Sequence, residues 1–318
     1  MLKVCNTQPL VSSSQNLDNM IYIEQQPAEP SELGKPLSVG PRKPTLLWRV
    51  HNKEGYNPLK LYHPYDVTFI REDRVAVVEG FYPYSRVQVL DISGRQILSI
   101  AQGDILPYGV TMDSEGYMAV TDHKDRTVKF YTPDGQAGIS WAPNMFDWPD
   151  GIAATKSCEY VVTDKTRGKV SVHDIDGVAI LQFSSIDPNV SQFSCPAYVA
   201  TDHHRRIIVT DTFDHSVKVF DMTGKLLQHF GTSATRYSPE IVDPRGVTID
   251  SQSNIIVADW GNNSVNMYSP DGRFISQMLT DEDDIKYPWG VAMDASGKLL
   301  VSEQKLNSTP GLKLYQCH

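Results

Sequence analysis

The sequence predicts an all-β fold, a six-bladed β-propeller, and two repeating features predict it. First, prolines recur at intervals of 42 to 48 residues, a period that suits one four-stranded propeller blade. Second, apolar and acidic residues stand at fixed distances behind these prolines. The repeat prolines are Pro64, Pro107, Pro149, Pro196, Pro244 and Pro288.

Each repeat proline is followed by an aliphatic residue three positions later and by an acid fifteen positions later. Because acids make up only 38 of the 318 residues, six such matches indicate a true repeat. We interpret the acid as a structural group that caps backbone N–H groups of the adjoining loop, in preference to a ring of metal ligands. The repeat acids are Glu79, Asp122, Asp164, Asp211, Asp259 and Glu303.

Within a repeat, strand a follows the proline, strand b ends at the acid, strand c carries paired aliphatic residues, and a glycine turn leads to strand d. Repeat six stops after strand c, so we expect the N-terminal strand at residues 46–50 to complete the last blade and close the ring. The domain prediction is a disordered tail over residues 1–43, rich in Ser, Gln and Pro, followed by the propeller over residues 44–318.

The fifth repeat carries a recognisable pattern. Pro-Arg-Gly-Val-Thr-Ile-Asp at 244–250, Ile-Ile-Val-Ala-Asp at 255–259, Asn-Asn-Ser-Val at 262–265 and Ser-Pro-Asp-Gly-Arg-Phe at 269–274 resemble an NHL repeat. The usual glycine two positions after the proline is replaced by Asp66 in repeat one and by Tyr198 in repeat four. The arrangement is similar to the C-terminal propeller of tripartite-motif NHL proteins, and the resemblance covers residues 44–318.

The resemblance implies a function in recognition. In that family the propeller selects a protein or RNA partner, and a RING domain elsewhere in the chain supplies ubiquitin-ligase activity. The four cysteines of this sequence are scattered and cannot hold the two zinc ions of a RING. We therefore expect a non-catalytic, partner-selecting propeller, and any ligase activity would need another part or partner.

The predicted binding face holds the residues that follow the repeat prolines and the loops between strands b and c. The first group should line the mouth of the central channel and includes three aromatic residues and one arginine, types that are enriched in binding hot spots. The loops of blades one to three add basic residues. Two plainer interpretations remain open, that the aromatic residues only pack between blades and that the cations form an ordinary solvated rim. The predicted partner-binding residues are Tyr65, Tyr108, Arg126, Lys165, Arg167, Arg245 and Trp289.

The net charge and its distribution indicate which classes of partner to expect. The formal net charge of −9 gives no general attraction to nucleic acid or to a membrane, so neither DNA nor a membrane is expected. The predicted face is two-toned, basic near blades one to three and acidic at residues 281–284. A mixed field favours a protein partner, and single-stranded RNA is the alternative because cations interleaved with tyrosines can hold phosphates and bases.

A catalytic or metal site is the least favoured interpretation. The propeller hydrolases and lyases need convergent acids or histidines at the channel mouth, and here Asp66 and Asp150 come from different blades. We read His123 and His215 as solvated loop histidines. No enzyme activity, cofactor or metal is therefore predicted. The cysteines show no paired spacing and the N-terminus shows no signal peptide, so we expect free thiols in the cytoplasm.

Overall fold

Six antiparallel sheets surround a central axis in the structure, which is a computed structural model. It describes residues 24–25, 43–51, 61–184, 193–232, 240–304 and 310–318. The six-bladed β-propeller predicted from the sequence is confirmed, because each repeat forms one blade and the inner strands of neighbouring blades lie side by side around the ring.

The strand bounds follow the repeat closely, since every strand a begins at its proline and every strand b ends on its acid. Blade 1 contains β3 (Pro64–Arg71), β4 (Arg74–Glu79), β5 (Arg86–Asp91) and β6 (Gln96–Ile100). Blade 2 contains β7 (Pro107–Met112), β8 (Met118–Asp122), β9 (Thr127–Tyr131) and β10 (Ala137–Ser140). Blade 3 contains β11 (Pro149–Ala154), β12 (Tyr160–Asp164), β13 (Lys169–His173) and β14 (Ala179–Phe183).

The second half of the ring repeats the pattern and adds one short helical turn. Blade 4 contains β15 (Pro196–Thr201), β16 (Ile207–Asp211), β17 (Ser216–Phe220) and β18 (Leu226–Phe230). Blade 5 contains β19 (Pro244–Ile249), β20 (Ile255–Asp259), β21 (Ser264–Tyr268) and β22 (Phe274–Leu279), and a 3₁₀ turn (Asp281–Asp283) follows it. Blade 6 contains β23 (Pro288–Met293), β24 (Lys298–Glu303) and β25 (Gly311–Gln316), completed by β1 (Glu24–Gln25) and β2 (Thr45–His51).

The ring closes through the N-terminal strand, as predicted. Strand β2 pairs antiparallel with β25, and the side chains of Trp48 and Val50 are buried in the core beside it. The indole Nε1 of Trp48 also donates a hydrogen bond to the carbonyl oxygen of Ile92 in blade 1, at 2.6 Å. Strand β2 therefore joins blade 6 internally and also ties it to blade 1.

The described part of the predicted tail includes the two-residue strand β1, whose Glu24 and Gln25 pair with Arg49 and Trp48. Residues 1–23 and 26–42 of the tail lie outside the described residues. The disorder of the tail therefore stays a prediction.

Strands b and c form the core of each blade. Their side chains alternate between the two faces of the sheet, and both faces are covered because the next blade packs on each side. Strand d is the exposed outer strand, as in β10, where all four residues are exposed. Between neighbouring blades the apolar side chains merge into six clusters around the ring.

The glycine two positions after the proline is required by close approach of the inner strands. A Cβ on Gly109 would lie 2.4 Å from the carbonyl oxygen of Asp150, and one on Gly246 would lie 2.6 Å from the carbonyl oxygen of Trp289. These are distances that real Cβ atoms do not adopt. Blades 1 and 4 carry Asp66 and Tyr198 instead, and both side chains bond the backbone of another blade, Asp66 at the N–H of Val110 and Tyr198 at the carbonyl oxygen of Tyr65.

The repeat acids cap backbone N–H groups, as predicted. Asp122 accepts from the N–H of Leu106 at 2.8 Å, and Asp259 accepts from the N–H groups of Val242 and Asp243 at 3.3 and 3.1 Å. Comparable bonds reach the acids of the other four blades. Each acid therefore fixes the loop that leads into its own blade's proline.

Asp259 supplies a test of this structural role. We expect Asp259→Ala to lower the free energy of unfolding by about 1–3 kcal/mol, because Val242, Asp243 and the Asn262 amide lose a buried acceptor. Asp259→Asn keeps one carbonyl acceptor and should lose less. Urea unfolding of both variants checks this. A rise of many degrees in the melting temperature on adding a divalent metal to the wild type would instead indicate ligation.

Candidate functional site

The repeat prolines and the repeat acids mark one end of the propeller. In every blade the proline pairs with the acid, as Pro107 pairs with Asp122 and Pro244 with Asp259. We name this end the upper face. It therefore holds the residue after each proline, the b–c loops and the segments that lead into the prolines. The a–b and c–d turns form the opposite end, the lower face.

Four of the seven predicted binding residues meet at the centre of the upper face. The rings of Tyr65 and Tyr108 stack with centroids 4.6 Å apart, and the ring of Trp289 lies 5.5 Å from that of Tyr65. The guanidinium of Arg245 stands 4.3 Å from the Trp289 ring centroid, and its Nε lies 2.9 Å from Asp243 Oδ1. We name these four residues the central cluster.

The central cluster is packed as well as accessible. Tyr108 is buried, whereas Tyr65, Arg245 and Trp289 are half-buried. Tyr198 crosses the ring from blade 4 and donates its hydroxyl hydrogen to the carbonyl oxygen of Tyr65, at 2.8 Å. Burial raises the pKa of Tyr108 and of Tyr198 well above the ordinary phenol value, so both stay neutral. The interpretation that the aromatic residues pack between blades is therefore correct for part of their surface.

Further rings extend the central cluster across the upper face. The His123 ring lies 4.9 Å from Tyr108 and 4.4 Å from Trp148. On the other side, Trp260 lies 5.1 Å from Tyr287 and 6.0 Å from the guanidinium of Arg245. A continuous row of rings thus reaches from blade 3 through the centre to the loop before blade 6.

The sequence interpretation of His123 as a solvated loop residue was wrong. Its side chain is only 4% exposed, and Nε2 lies 3.1 Å from a buried Asp150 oxygen. The repeat could have indicated this position. His123 and Trp260 each stand directly after a repeat acid, and because that acid pairs with the proline, they lie beside the residues that follow the prolines. Trp148 and Tyr287 each stand directly before a proline, a second position that points to the same mouth.

Exposed aromatic side chains concentrate on the upper face. Among the described residues, six aromatic side chains are exposed, and five belong to this face. On the lower face only Tyr117, in an a–b turn, is exposed among the described aromatic residues. Monomers expose single apolar side chains routinely, but a one-sided concentration is typical of an interaction surface. The five are Phe81, Tyr82, Tyr84, Trp148 and Phe213, exposed by 45%, 74%, 39%, 43% and 71%.

The remaining three predicted residues are each paired with a carboxylate. Arg126 and Arg167 converge on one carboxylate, Asp147, at 3.9 and 2.8 Å. Lys165 Nζ lies 3.7 Å from the buried Asp150. These three cations of the predicted basic arc are therefore paired with carboxylates from other loops, whereas Lys124 and Lys169 bond the backbone oxygen of Asp104 and the Gln182 side chain.

The acidic stretch on the opposite side is compensated in the same way. Asp283 pairs with Lys43 at 2.7 Å, and Asp284 pairs with Arg49 at 3.3 Å and with Lys313 at 3.5 Å. Both halves of the upper face therefore contain cations and carboxylates in direct contact.

No group of three or more His, Cys, Asp and Glu side chains in the described part of the chain could hold a metal ion. Asp66 is engaged structurally, since its Oδ2 accepts a hydrogen bond from the backbone N–H of Val110 at 3.0 Å. The described residues also contain no helix that is long and apolar enough to span a membrane.

Asp66 makes the stability of the ring depend on pH. Burial raises the pKa of Asp66 from 3.8 to about 7, so the folded state binds a proton that the unfolded chain has already released. The contribution of protonated Asp66 to the free energy of unfolding is fully present below pH 3.8 and is lost as the pH rises through about 7. We expect Asp66→Asn to unfold with a shallower pH dependence between pH 4 and 8 than the wild type, in urea titrations at each pH. Parallel pH profiles of the two proteins would contradict this assignment.

Comparison with known proteins supports the repeat assignment. No protein-family model matches the chain. It is 26% identical over 213 residues to the E3 ubiquitin-protein ligase TRIM32 of Mus musculus, covering 62% of this chain and 31% of that protein. It is 26% identical over 225 residues to the E3 ubiquitin-protein ligase NHLRC1 of Homo sapiens, covering 68% and 56%. Protein brain tumor of Drosophila melanogaster is 28% identical over 116 residues, covering 36% and 11%.

These relatives are NHL-repeat proteins, so the resemblance to NHL propellers of the tripartite-motif type is confirmed. The match spans about a third of the length of the first relative and about half of that of the second.

Solved structures confirm the fold alone. A streptogramin B lyase structure superposes with a TM-score of 0.56 at 16% identity, covering 80% of this chain and 93% of that chain. A chain of a nidogen/laminin complex superposes with a TM-score of 0.55 at 16% identity, covering 76% and 87%. The same architecture therefore occurs in a lyase and in a protein complex, and function must be argued from the site.

Proposed function

We propose that this propeller is a non-catalytic recognition module whose upper face binds a protein partner. The observation that carries the proposal is the concentration of exposed aromatic side chains on that face, above a preorganised central cluster. Large aromatic side chains supply most of the energy in protein interfaces when they are surrounded by packed neighbours. The binding surface comprises the seven residues predicted from the sequence together with Trp148 and Phe213.

The similarity to two E3 ubiquitin-protein ligases suggests the biological setting. We propose that the propeller selects a substrate or partner for ubiquitination. Its four cysteines are too few for a RING, so ubiquitin transfer would need a RING supplied by another segment or chain. Cys158, Cys195 and Cys317 are free thiols, which suits a reducing compartment such as the cytoplasm.

Single-stranded RNA is the second candidate, and the paired cations count against it. Binding to a phosphate backbone gains most of its free energy from cations that exchange counterions for phosphates. Arg126, Arg167 and Lys165 would first have to leave Asp147 and Asp150. An RNA groove needs cations without a carboxylate partner, and these three cations are paired. The upper face does present exposed, uncharged aromatic side chains.

A heparin column separates the two candidates. We expect wild-type protein and the double variant Arg126→Gln, Arg167→Gln to elute at the same low salt concentration, because the two arginines already pair with two carboxylates, Asp147 and Asp164. The variant is a matched one, since it removes charge from exposed side chains and leaves the core intact. Strong retention of the wild type that the double variant loses would favour RNA and contradict the proposal.

A further inference from the structure

A cleft runs along the side of blade 3, and we name it the blade-3 cleft. Its volume is about 240 Å³, and it extends from the b–c loop on the upper face to the c–d turn on the lower face. One wall contains Phe146, from the segment that leads into blade 3, and the other contains Lys169 and Ser171 of strand β13. Asp164 and Arg167 lie at the upper end of the cleft.

The cleft exists because Ser171 is small at a position where the other blades carry longer side chains. Ser171 pairs with the residue two positions before its repeat acid, and the matching residues of the other blades are Gln88, Lys129, Lys218, Asn266 and Lys313. In blades 2, 4 and 6 the lysine Nζ lies 2.7, 2.8 and 3.1 Å from the repeat acid. Because native interiors are close-packed, the space left beside Asp164 indicates a place for a group from outside the chain.

Asp164 already has its hydrogen-bond donors. Its Oδ2 accepts from the N–H of Asp147 at 2.8 Å, and its Oδ1 accepts from the N–H of Trp148 at 3.1 Å. Arg167 Nε lies 3.6 Å from Oδ2. The carboxylate inside the cleft is therefore satisfied by the chain itself.

Lys169 is the cation of the cleft that lacks a carboxylate. No described carboxylate forms an ion pair with Lys169, whose Nζ donates to the side-chain oxygen of Gln182. Burial and the neighbouring Arg167 guanidinium lower the pKa of the Lys169 ammonium. His173 adds no charge at neutral pH, because burial lowers the pKa of its imidazole. The charged side chains that line the cleft are therefore two cations and one carboxylate, an excess of one positive charge.

The volume and the charge together indicate the occupant. Sites for small molecules and cofactors measure about 300–1,000 Å³, so a space of this size suits a single side chain. An acidic side chain brings one negative charge, which cancels the excess, and its aliphatic stem can pack on Phe146 and Met145. A phosphate group carries about 1.5–2 negative charges at pH 7 and would leave a surplus beside the buried Asp164.

We propose that the blade-3 cleft receives an aspartate or glutamate side chain of the protein partner, whose carboxylate pairs with the ammonium of Lys169. The inference rests on the proposed function, since the partner is the protein that binds the upper face. Trp148 joins the two contacts, because its side chain is exposed on the upper face and its N–H bonds Asp164. The net charge of −9 does not prevent the contact, since salt at about 0.1 M screens charges beyond about 10 Å.

A nuclear magnetic resonance titration of the full chain with the tripeptide acetyl-Ala-Glu-Ala-amide tests the proposal. We expect this probe to shift the backbone amide signals of Lys169, Ser171 and Gln182, and the neutral acetyl-Ala-Gln-Ala-amide to leave them unchanged. Lys169→Gln should weaken binding of the acidic probe by about tenfold or more, the loss expected from one charge-assisted hydrogen bond. Lys225→Gln removes an exposed lysine from the c–d turn of blade 4 and is the matched control, with unchanged affinity.

A second variant fills the cleft from within. Ser171→Lys supplies the lysine that blades 2, 4 and 6 carry, so its ammonium should pair with Asp164 and its side chain should occupy the space. We expect this variant to abolish binding of the acidic probe without lowering the melting temperature. Because the variant adds a positive charge, general attraction between charges predicts the opposite, and tighter binding would overturn the proposal.

Three further results would overturn the inference. These are equal shifts with the neutral probe, affinity that Lys169→Gln leaves unchanged, and tighter binding of acetyl-Ala-phosphoserine-Ala-amide. The outcome also stays separate from the proposed function. Loss of partner capture by Trp148 and Phe213 variants, together with no probe binding in the cleft, would remove only this inference. Probe binding in the cleft, together with partner capture that those variants keep, would remove the aromatic binding face and keep the cleft.

Discussion

Removal of residues 1–53 is expected to abolish cooperative folding, because it takes strand β2 out of blade 6. That strand pairs with β25 along its whole length and buries Trp48 and Val50. Losing a buried tryptophan alone costs about 3–5 kcal/mol, a large part of the ordinary stability of a domain. The deletion also breaks the bond from Trp48 to Ile92 and exposes the edge of β25. Near-ultraviolet circular dichroism during urea unfolding checks this.

A shorter deletion is the matched control. Removing residues 1–40 keeps β2 and takes away, of the described strands, the two-residue strand β1, so we expect the free energy of unfolding to change by about 1 kcal/mol or less. The point variant Trp48→Ala should fall between the two deletions. A stable, monodisperse fragment of residues 54–318 would show that the ring does not depend on closure by the N-terminal strand.

Much of the fold could be predicted from the sequence because every blade repeats the same strand pairing and the same capping hydrogen bonds. Each blade must pair a strand that starts at a proline with one that ends at an acid, so Pro107 and Asp122 recur as a unit around the ring. Six copies average out local ambiguity. The same logic predicted the capping role of Asp259, since a residue present in every blade serves the blade.

The site was predictable only in part, because it depends on juxtaposition between blades. Tyr65 and Tyr108 were found from their position after the proline, but the crossing of Tyr198 to Tyr65 spans 133 residues and leaves no local signal. The pairing of Arg126 with Asp147 joins two loops of different blades. The sequence placed acids and bases on the same face, but it could not show which carboxylate each cation contacts.

Loss of exposed aromatic side chains from the upper face is expected to have the largest effect on partner binding. Trp148 and Phe213 are well exposed, so changing both to Ala should remove interface contacts without disturbing the core. We expect the double variant to lose about a hundredfold or more in affinity, since each aromatic anchor costs about 2 kcal/mol or more when truncated. Trp289→Ala should also weaken binding, but it loosens the packing around Arg245 and Tyr65 as well.

The most direct measurement is quantitative affinity capture from lysate with the full chain as bait, with and without nuclease. The baits are the wild type, Tyr117→Ala and the double variant Trp148→Ala, Phe213→Ala, after their melting temperatures have been shown to be equal. Captured protein and captured RNA are both quantified. Binding to a protein through the upper face predicts a nuclease-resistant set of proteins that the wild type and Tyr117→Ala retain and the double variant loses. Capture that disappears with nuclease, or that the double variant keeps in full, would contradict the account.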